Sequence, residues 1–139
     1  MLGRMENKGT IIKKIKNILL KSTDIRACFL FGSFVSENFN DSSDIDIAVL
    51  SGQKIEGKKL LSIRQEVERV ISRDVDLVQV DKDLSFVLKN EIATKGVLLF
   101  SHDQKLSNRF LEKTPQMYLD FMKFREPLED AYIQKKRKQ

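Results

Sequence analysis

The chain is expected to fold as an α/β (α+β) domain, a mixed sheet of about four strands flanked by helices, with a long helix at its C-terminal end. Two observations carry this expectation. Segments of helical period alternate with short strand-like runs along the chain, which is the pattern of helices packed on a sheet. The 139 residues are 41% hydrophobic, enough for one domain with a core of its own and too few for two. Two prolines and six glycines exclude a low-complexity or collagen-like chain.

The elements follow in order. Ile11, Ile12, Ile15, Ile18 and Leu19 recur at helical spacing, so residues 8–21 are predicted to form an amphipathic helix. Ser22-Thr23-Asp24 ends it. Residues 25–31 are short and continuously apolar, as in a buried strand, and Gly32-Ser33 then opens one or two helical turns. Residues 38–43 are polar and loop-like, and residues 44–50 form the second strand. Leu60, Ile63, Val67, Val70 and Ile71 mark a helix over residues 57–72, and residues 74–80 a third strand. Leu84, Val87, Leu88 and Ile92 place a helix at 83–94, with Gly96 as its stop and residues 97–100 as a fourth strand. Thr114-Pro115 has the form of a helix start, Thr as cap and Pro at the first position. Met117, Phe121, Phe124, Leu128 and Tyr132 continue that last helix, with a second apolar face around Tyr118 and Met122. No repeat or linker divides the chain, so residues 1–139 are read as a single domain: a core over about 8–101 and a helical extension over about 105–135.

Composition excludes several chemistries. A single cysteine, Cys28, allows no internal disulfide and no cysteine-rich zinc site, and its apolar neighbours make it a buried thiol. With one histidine, His102, any Ser-His or Cys-His catalysis would rest on that residue, which is expected at the surface. No segment has the length of a membrane span or the apolar run of a signal peptide, so the cytoplasm of a microbe is the expected compartment. Residues 1–21 hold six Lys/Arg against one acid, residues 22–104 ten against fourteen, and residues 105–139 nine against five. The acidic middle suits divalent cations. The basic ends, including Lys135-Lys136-Arg137-Lys138, are read as solvated; direct nucleic-acid binding is not expected, because basic and aromatic residues do not interleave.

Two segments carry the chemistry. Ten residues separate Ser33 from Asp44-Ile45-Asp46. Alternation along a strand puts Asp44 and Asp46 on one side and Ile45 and Ile47 on the other, in the core. Two carboxylates so close repel unless a cation neutralises them or one holds a proton, and hard oxygen ligands suit Mg²⁺, with Mn²⁺ as the alternative. Asp76 interrupts the apolar run Val75-Asp76-Leu77-Val78. On a strand beside Asp44 and Asp46 it would complete a three-carboxylate cluster, able to hold two ions about 4 Å apart for phosphoryl transfer. Asp74 is its competitor, and Asp76 is preferred because it lies within the run. Gly32 allows close backbone approach, and Ser33 with the N–H groups of a helical turn can hold phosphates. Glu66 and Glu68 are expected to face solvent, and Asp41 is a loop acid beside the site.

Gly32-Ser33, ten residues and Asp44-Ile45-Asp46, followed by an Asp in a Val-Asp-Leu-Val strand, resemble the signature of the nucleotidyltransferase superfamily that includes DNA polymerase β. In size the chain is similar to the minimal nucleotidyltransferases, and among these to the MntA-type antitoxins of HEPN–MNT toxin–antitoxin systems. The similarity runs over nearly the whole chain, more loosely in the tail from Met117-Tyr118-Leu119-Asp120-Phe121 to Arg125. The resemblance implies a nucleotidyltransferase fold. It implies an antitoxin that moves AMP from ATP to a tyrosine of a cognate HEPN ribonuclease toxin, its partner in a hetero-oligomer. Asp44 and Asp46 would then be metal ligands for two Mg²⁺ ions, and Asp76 the third ligand, helping to activate the acceptor hydroxyl. Gly32 and Ser33 would hold the triphosphate of ATP. Where many relatives carry Arg or Gly just after Gly-Ser, this chain has Phe34-Val35-Ser36-Glu37-Asn38. The alternatives are an antitoxin that acts by occlusion alone, and a nucleotidyltransferase acting on a small molecule such as an antibiotic. The chain's shortness leaves little surface for an acceptor pocket of its own, which favours a protein acceptor docked on the last helix.

Overall fold

The computed structural model describes residues 7–137, with side chains through residue 124. Its elements are α1 (Lys8–Leu19), β1 (Ala27–Phe31), a 3₁₀ turn (Gly32–Val35), β2 (Ile45–Leu50), α2 (Gly57–Ile71), β3 (Val75–Gln79), α3 (Phe86–Lys95), β4 (Val97–Ser101) and α4 (Gln104–Arg137). The strands form one sheet in the order β3-β2-β1-β4. β1 runs antiparallel to both neighbours, and β2 and β3 are parallel. The mixed sheet and the flanking helices are those expected from the sequence.

Alternation along the strands gives the sheet two faces. Cys28, Leu30, Ile45, Ile47, Val49, Val75 and Leu77 pack against Ile11, Ile15, Ile18 and Leu19 of α1 and Val67 and Ile71 of α2. On the other face Ala27, Phe29, Phe31, Ala48 and Leu50 meet Ile92 of α3 and Phe110 of α4. The Phe29 and Phe110 rings lie 5.5 Å apart and tilted, a geometry worth about 1 kcal/mol beyond the area it buries. Cys28 is fully buried, and burial pushes its thiol far above the ordinary range, so it is a core residue and no nucleophile. His102 is exposed at the end of β4, its ring 5.2 Å from Phe100.

Two sequence expectations need correction. Helix α4 begins at Gln104, not at Thr114-Pro115. Asp103 starts it: its carboxylate accepts from the Leu106 N–H at 3.1 Å and its carbonyl from the Ser107 N–H at 3.1 Å. Pro115 then lies within the helix, where it forgoes a backbone bond. Packing on both sides carries the helix through: Thr114 is buried and Phe121 stacks on Phe86 at 4.9 Å. The other correction is Glu68, which is not simply solvated; its carboxylate accepts from the Val75 N–H at 2.9 Å and anchors the start of β3. Glu66 does face outward, paired with Lys21 at 3.5 Å.

No helix of the described residues is long and apolar enough to cross a membrane. Tyr118 and Met122 are half-buried, while Met117, Leu119 and Phe124 are 50%, 60% and 88% exposed. The side chains of Leu128 and Tyr132, and the basic run from Lys135 to Lys138, lie outside the described side chains.

Candidate active site

Topology assembles the site at one end of the sheet. Because β1 is antiparallel to β2 and β4, the C-terminal end of β1 lies beside the N-terminal ends of β2, β3 and β4. Gly32-Ser33 follows β1, Asp44 and Asp46 stand at the start of β2, Asp76 at the start of β3, and Lys95 just before β4. In register, Asp46 opposes Phe31 on one side and Asp76 on the other. Asp74 contributes its carbonyl to the Ile45 N–H at 3.0 Å, and Asp76, not Asp74, is the acid level with Asp46.

Asp44, Asp46 and Asp76 share the strand parity of Ala48, Leu50 and Val78, whose side chains pack on the α3–α4 face. Ile45 and Ile47 point to the other face and are fully buried. The acids therefore sit where the α3–α4 layer opens at the sheet end.

Gly32 is fitted to Asp46. It adopts φ +70, and a Cβ there would lie 2.0 Å from Asp46 Oδ2 and 2.9 Å from Asp46 Cγ. Only glycine serves both demands, the left-handed backbone and the close approach. Ser33 follows in the 3₁₀ turn, closed by the Ser36 N–H and the Ser36 hydroxyl donating to the Ser33 carbonyl, each at 3.0 Å. Gly32, Ser33, Val35, Ser36, Asn38, Glu91 and Lys95 line a cleft of about 450 Å³.

The electrostatics centre on Asp46. Partial burial, then repulsion from Asp76, Asp44 and Glu91, pushes its carboxyl up to about 6. Asp46 thus shares the charge of three neighbouring acids, a repulsion that a bound metal ion would relieve. Among the described residues, no three His, Cys, Asp or Glu side chains form a ready-made cage for an ion. The three carboxylates expected from the sequence to form one cluster are therefore not gathered tightly enough to enclose an ion by themselves. Asp44 also lines a smaller cleft of about 260 Å³ with Asp41, Ser72, Arg73 and Asp74.

Three functional candidates were not legible in the sequence. Glu91 and Lys95, one helical turn apart on α3, line the Gly32-Ser33 cleft. Arg73 holds the loop before Asp44: its Nη2 donates to the Asn40 and Ser43 carbonyls, both at 2.7 Å, and its guanidinium lies 4.6 Å from the Phe39 ring centre. Replacing Arg73 by Met is expected to cost about 2 kcal/mol, from two charge-assisted bonds and one ring contact. Thermal melts should show it as a midpoint lowered by about 6 °C; an unchanged midpoint would mean that the loop holds itself.

The chain is similar to known proteins in sequence and in fold. The sequence profile of the polymerase beta nucleotidyltransferase family matches residues 13–105. The protein adenylyltransferase MntA of Shewanella oneidensis is 31% identical over 112 residues, which is 81% of this chain and 77% of that protein. A chain in the structure of the tri-AMPylated Shewanella oneidensis HEPN toxin in complex with MNT antitoxin superposes with a TM-score of 0.76 at 26% identity. That match covers 91% of this chain and 99% of the other. A chain from a toxin–antitoxin structure with AMP-PNP gives 0.75 at 28% identity, covering 92% and 99%.

Proposed function

This chain belongs to the polymerase beta nucleotidyltransferase family, and from that premise we propose that it is an antitoxin that transfers AMP from ATP to a tyrosine of a cognate HEPN ribonuclease toxin. The observation that carries the reading is the gathering of Gly32-Ser33, Asp44, Asp46 and Asp76 at one sheet end, with Gly32 packed against Asp46 and the Asp46 carboxyl raised by partial burial and then by its acidic neighbours. The similarity to an MntA protein adenylyltransferase, and to chains solved with a HEPN toxin and with AMP-PNP, supports the choice of acceptor and donor. The whole chain would act as one minimal nucleotidyltransferase domain, working in the cytoplasm, where ATP and a ribonuclease meet.

The reaction is an in-line displacement. The acceptor oxygen bonds to the α-phosphorus of ATP while the bond from that phosphorus to the bridging oxygen of the β-phosphate breaks, and pyrophosphate leaves with the electron pair. Asp76, on the strand next to Asp46, receives the acceptor hydroxyl's proton or orients the hydroxyl for its loss. Gly32 and Ser33 hold the triphosphate in the cleft beside them. Asp44, Asp46 and Asp76 would hold two Mg²⁺ ions, which neutralise charge on the attacking and leaving oxygens when bound.

The test is transfer of label from α-³²P-ATP, with Mg²⁺, to the product of the adjacent gene, which this reading expects to be a HEPN ribonuclease. Label is expected on a tyrosine of that partner and is expected to vanish when EDTA removes the metal. A tight complex that silences the partner without any label would replace this reading with occlusion.

A further inference from the structure

A nucleoside triphosphate brings about four negative charges into a cleft whose lining already includes Glu91 and which adjoins Asp46. Metal ions offset part of that charge. The remainder needs a cation that the protein supplies, and Lys95 is the cationic residue in the lining. Residues 34–38 contain no basic side chain. Lys8, the other nearby ammonium, is committed to the 3₁₀ turn, donating to the Phe34 carbonyl at 2.6 Å and lying over the Phe34 and Phe39 rings.

The fold places Lys95 there for a definite reason. Helix α3 ends at Lys95, and Gly96 turns the chain into β4. Val97 of β4 pairs with Leu30 of β1, in antiparallel register. Residues before Val97 therefore lie beyond Leu30, alongside Gly32 and Ser33. Gly96 is packed tightly at this corner: a Cβ on it would lie 2.4 Å from the Ile92 carbonyl oxygen and 3.4 Å from that of Leu30. The end of α3 is thus held against the end of β1. Lys95 is exposed, and among the described residues its ammonium forms no ion pair or hydrogen bond.

Resting on the adenylyltransferase reading above, we infer that Lys95 binds the β- and γ-phosphates of the nucleoside triphosphate in the Gly32-Ser33 cleft and holds the pyrophosphate as it leaves. The division of labour is spatial. The acids at the strand ends face the metal and the α-phosphorus, while Lys95, across the cleft on α3, faces the end of the triphosphate. An ammonium on a flexible stem acts as a point charge and can follow the phosphates as the bond breaks.

Calorimetric titration of the full chain with ATP and with AMP, both in Mg²⁺, tests this. ATP is expected to bind more tightly than AMP. Lys95→Met should weaken ATP binding about tenfold or more, the scale of losing a charge-assisted contact, and leave AMP binding unchanged. Lys95→Arg should keep ATP binding within about threefold of wild type, since the charge persists. Wild-type ATP affinity in Lys95→Met, or equal losses for ATP and AMP, would overturn the assignment. The two readings fail separately: ATP binding that depends on Lys95 without transfer to a HEPN protein sinks the acceptor assignment, whereas transfer with unaltered ATP binding in Lys95→Met sinks the role of Lys95 alone.

Discussion

Asp46→Asn is expected to make the metal-free protein more stable and the enzyme at least about 10³-fold slower, the scale of removing a central electrostatic group. The two effects have one cause. The Asp46 carboxyl is raised to about 6 by partial burial and by the charges of Asp76, Asp44 and Glu91, so the folded chain holds its proton more tightly than the unfolded chain does. Below the ordinary value of 3.8 both states are protonated and the site costs nothing. As the pH rises from there to about 6 the unfolded chain ionises first, and stability falls. Above about 6 the cost is complete. Asparagine removes it, and at pH 8 the variant should gain about 1 kcal/mol after allowing for solvent screening at this half-exposed group.

Metal reverses the order. Mg²⁺ bound to the ionised carboxylate stabilises the wild-type fold by mass action, so the wild-type melt should move up with added Mg²⁺ and the variant's should not. Protons compete for the same oxygens, so the wild-type response should fade as the pH drops below about 6. Melts at pH 5 and pH 8, each with and without Mg²⁺, read all of this. A variant less stable than wild type in EDTA at pH 8 would mean that the carboxylate is satisfied by the protein and that the acids are not waiting for a cation.

How far the site could be read from the chain depends on where its parts sit. Gly32-Ser33 and Asp44-Ile45-Asp46 are local patterns: each lies at the end of a strand, and alternation alone sends Asp46 one way and Ile45 and Ile47 the other. The separation of Asp46 from Asp76 is bridged by one parallel strand pair, and the apolar neighbours of Asp76 mark it as an interruption. Glu91 and Lys95 carry no such mark. Their sequence reads as an ordinary solvated turn of helix, and they reach Gly32 only because β4 pairs with β1, an order of strands that periodicity does not specify. Arg73 is similar, since its partners Asn40 and Ser43 lie on a polar loop thirty or more residues away. The start of α4 departs from the sequence expectation for the opposite reason. Thr114-Pro115 has the local chemistry of a helix start, and only the packing of Phe110 and Phe121 on either side shows that tertiary contacts outweigh it.

Gly32→Ala is expected to lower activity by about 10²-fold or more while the chain still folds, because the displaced group belongs to the site. Alanine at φ +70 costs about 1–2 kcal/mol in backbone energy, and its Cβ cannot share space with Asp46 Oδ2 at 2.0 Å. The nearest obstructing atoms belong to a side chain, so Asp46 can rotate away and the core need not move. The fold then survives with its central carboxylate turned from the cleft. The melting point should drop by only a few degrees, with Mg²⁺-dependent stabilisation lost alongside transfer. Combining Gly32→Ala with Asp46→Asn separates displacement from general damage. If Gly32 matters through Asp46, the double variant should transfer no more slowly than Asp46→Asn alone, the non-additivity of two changes to one unit. Its stability cost should persist, because the asparagine side chain fills the same space as the aspartate it replaces. Multiplying activity losses would instead show that its part in holding the triphosphate is separable from its fit to the carboxylate it touches.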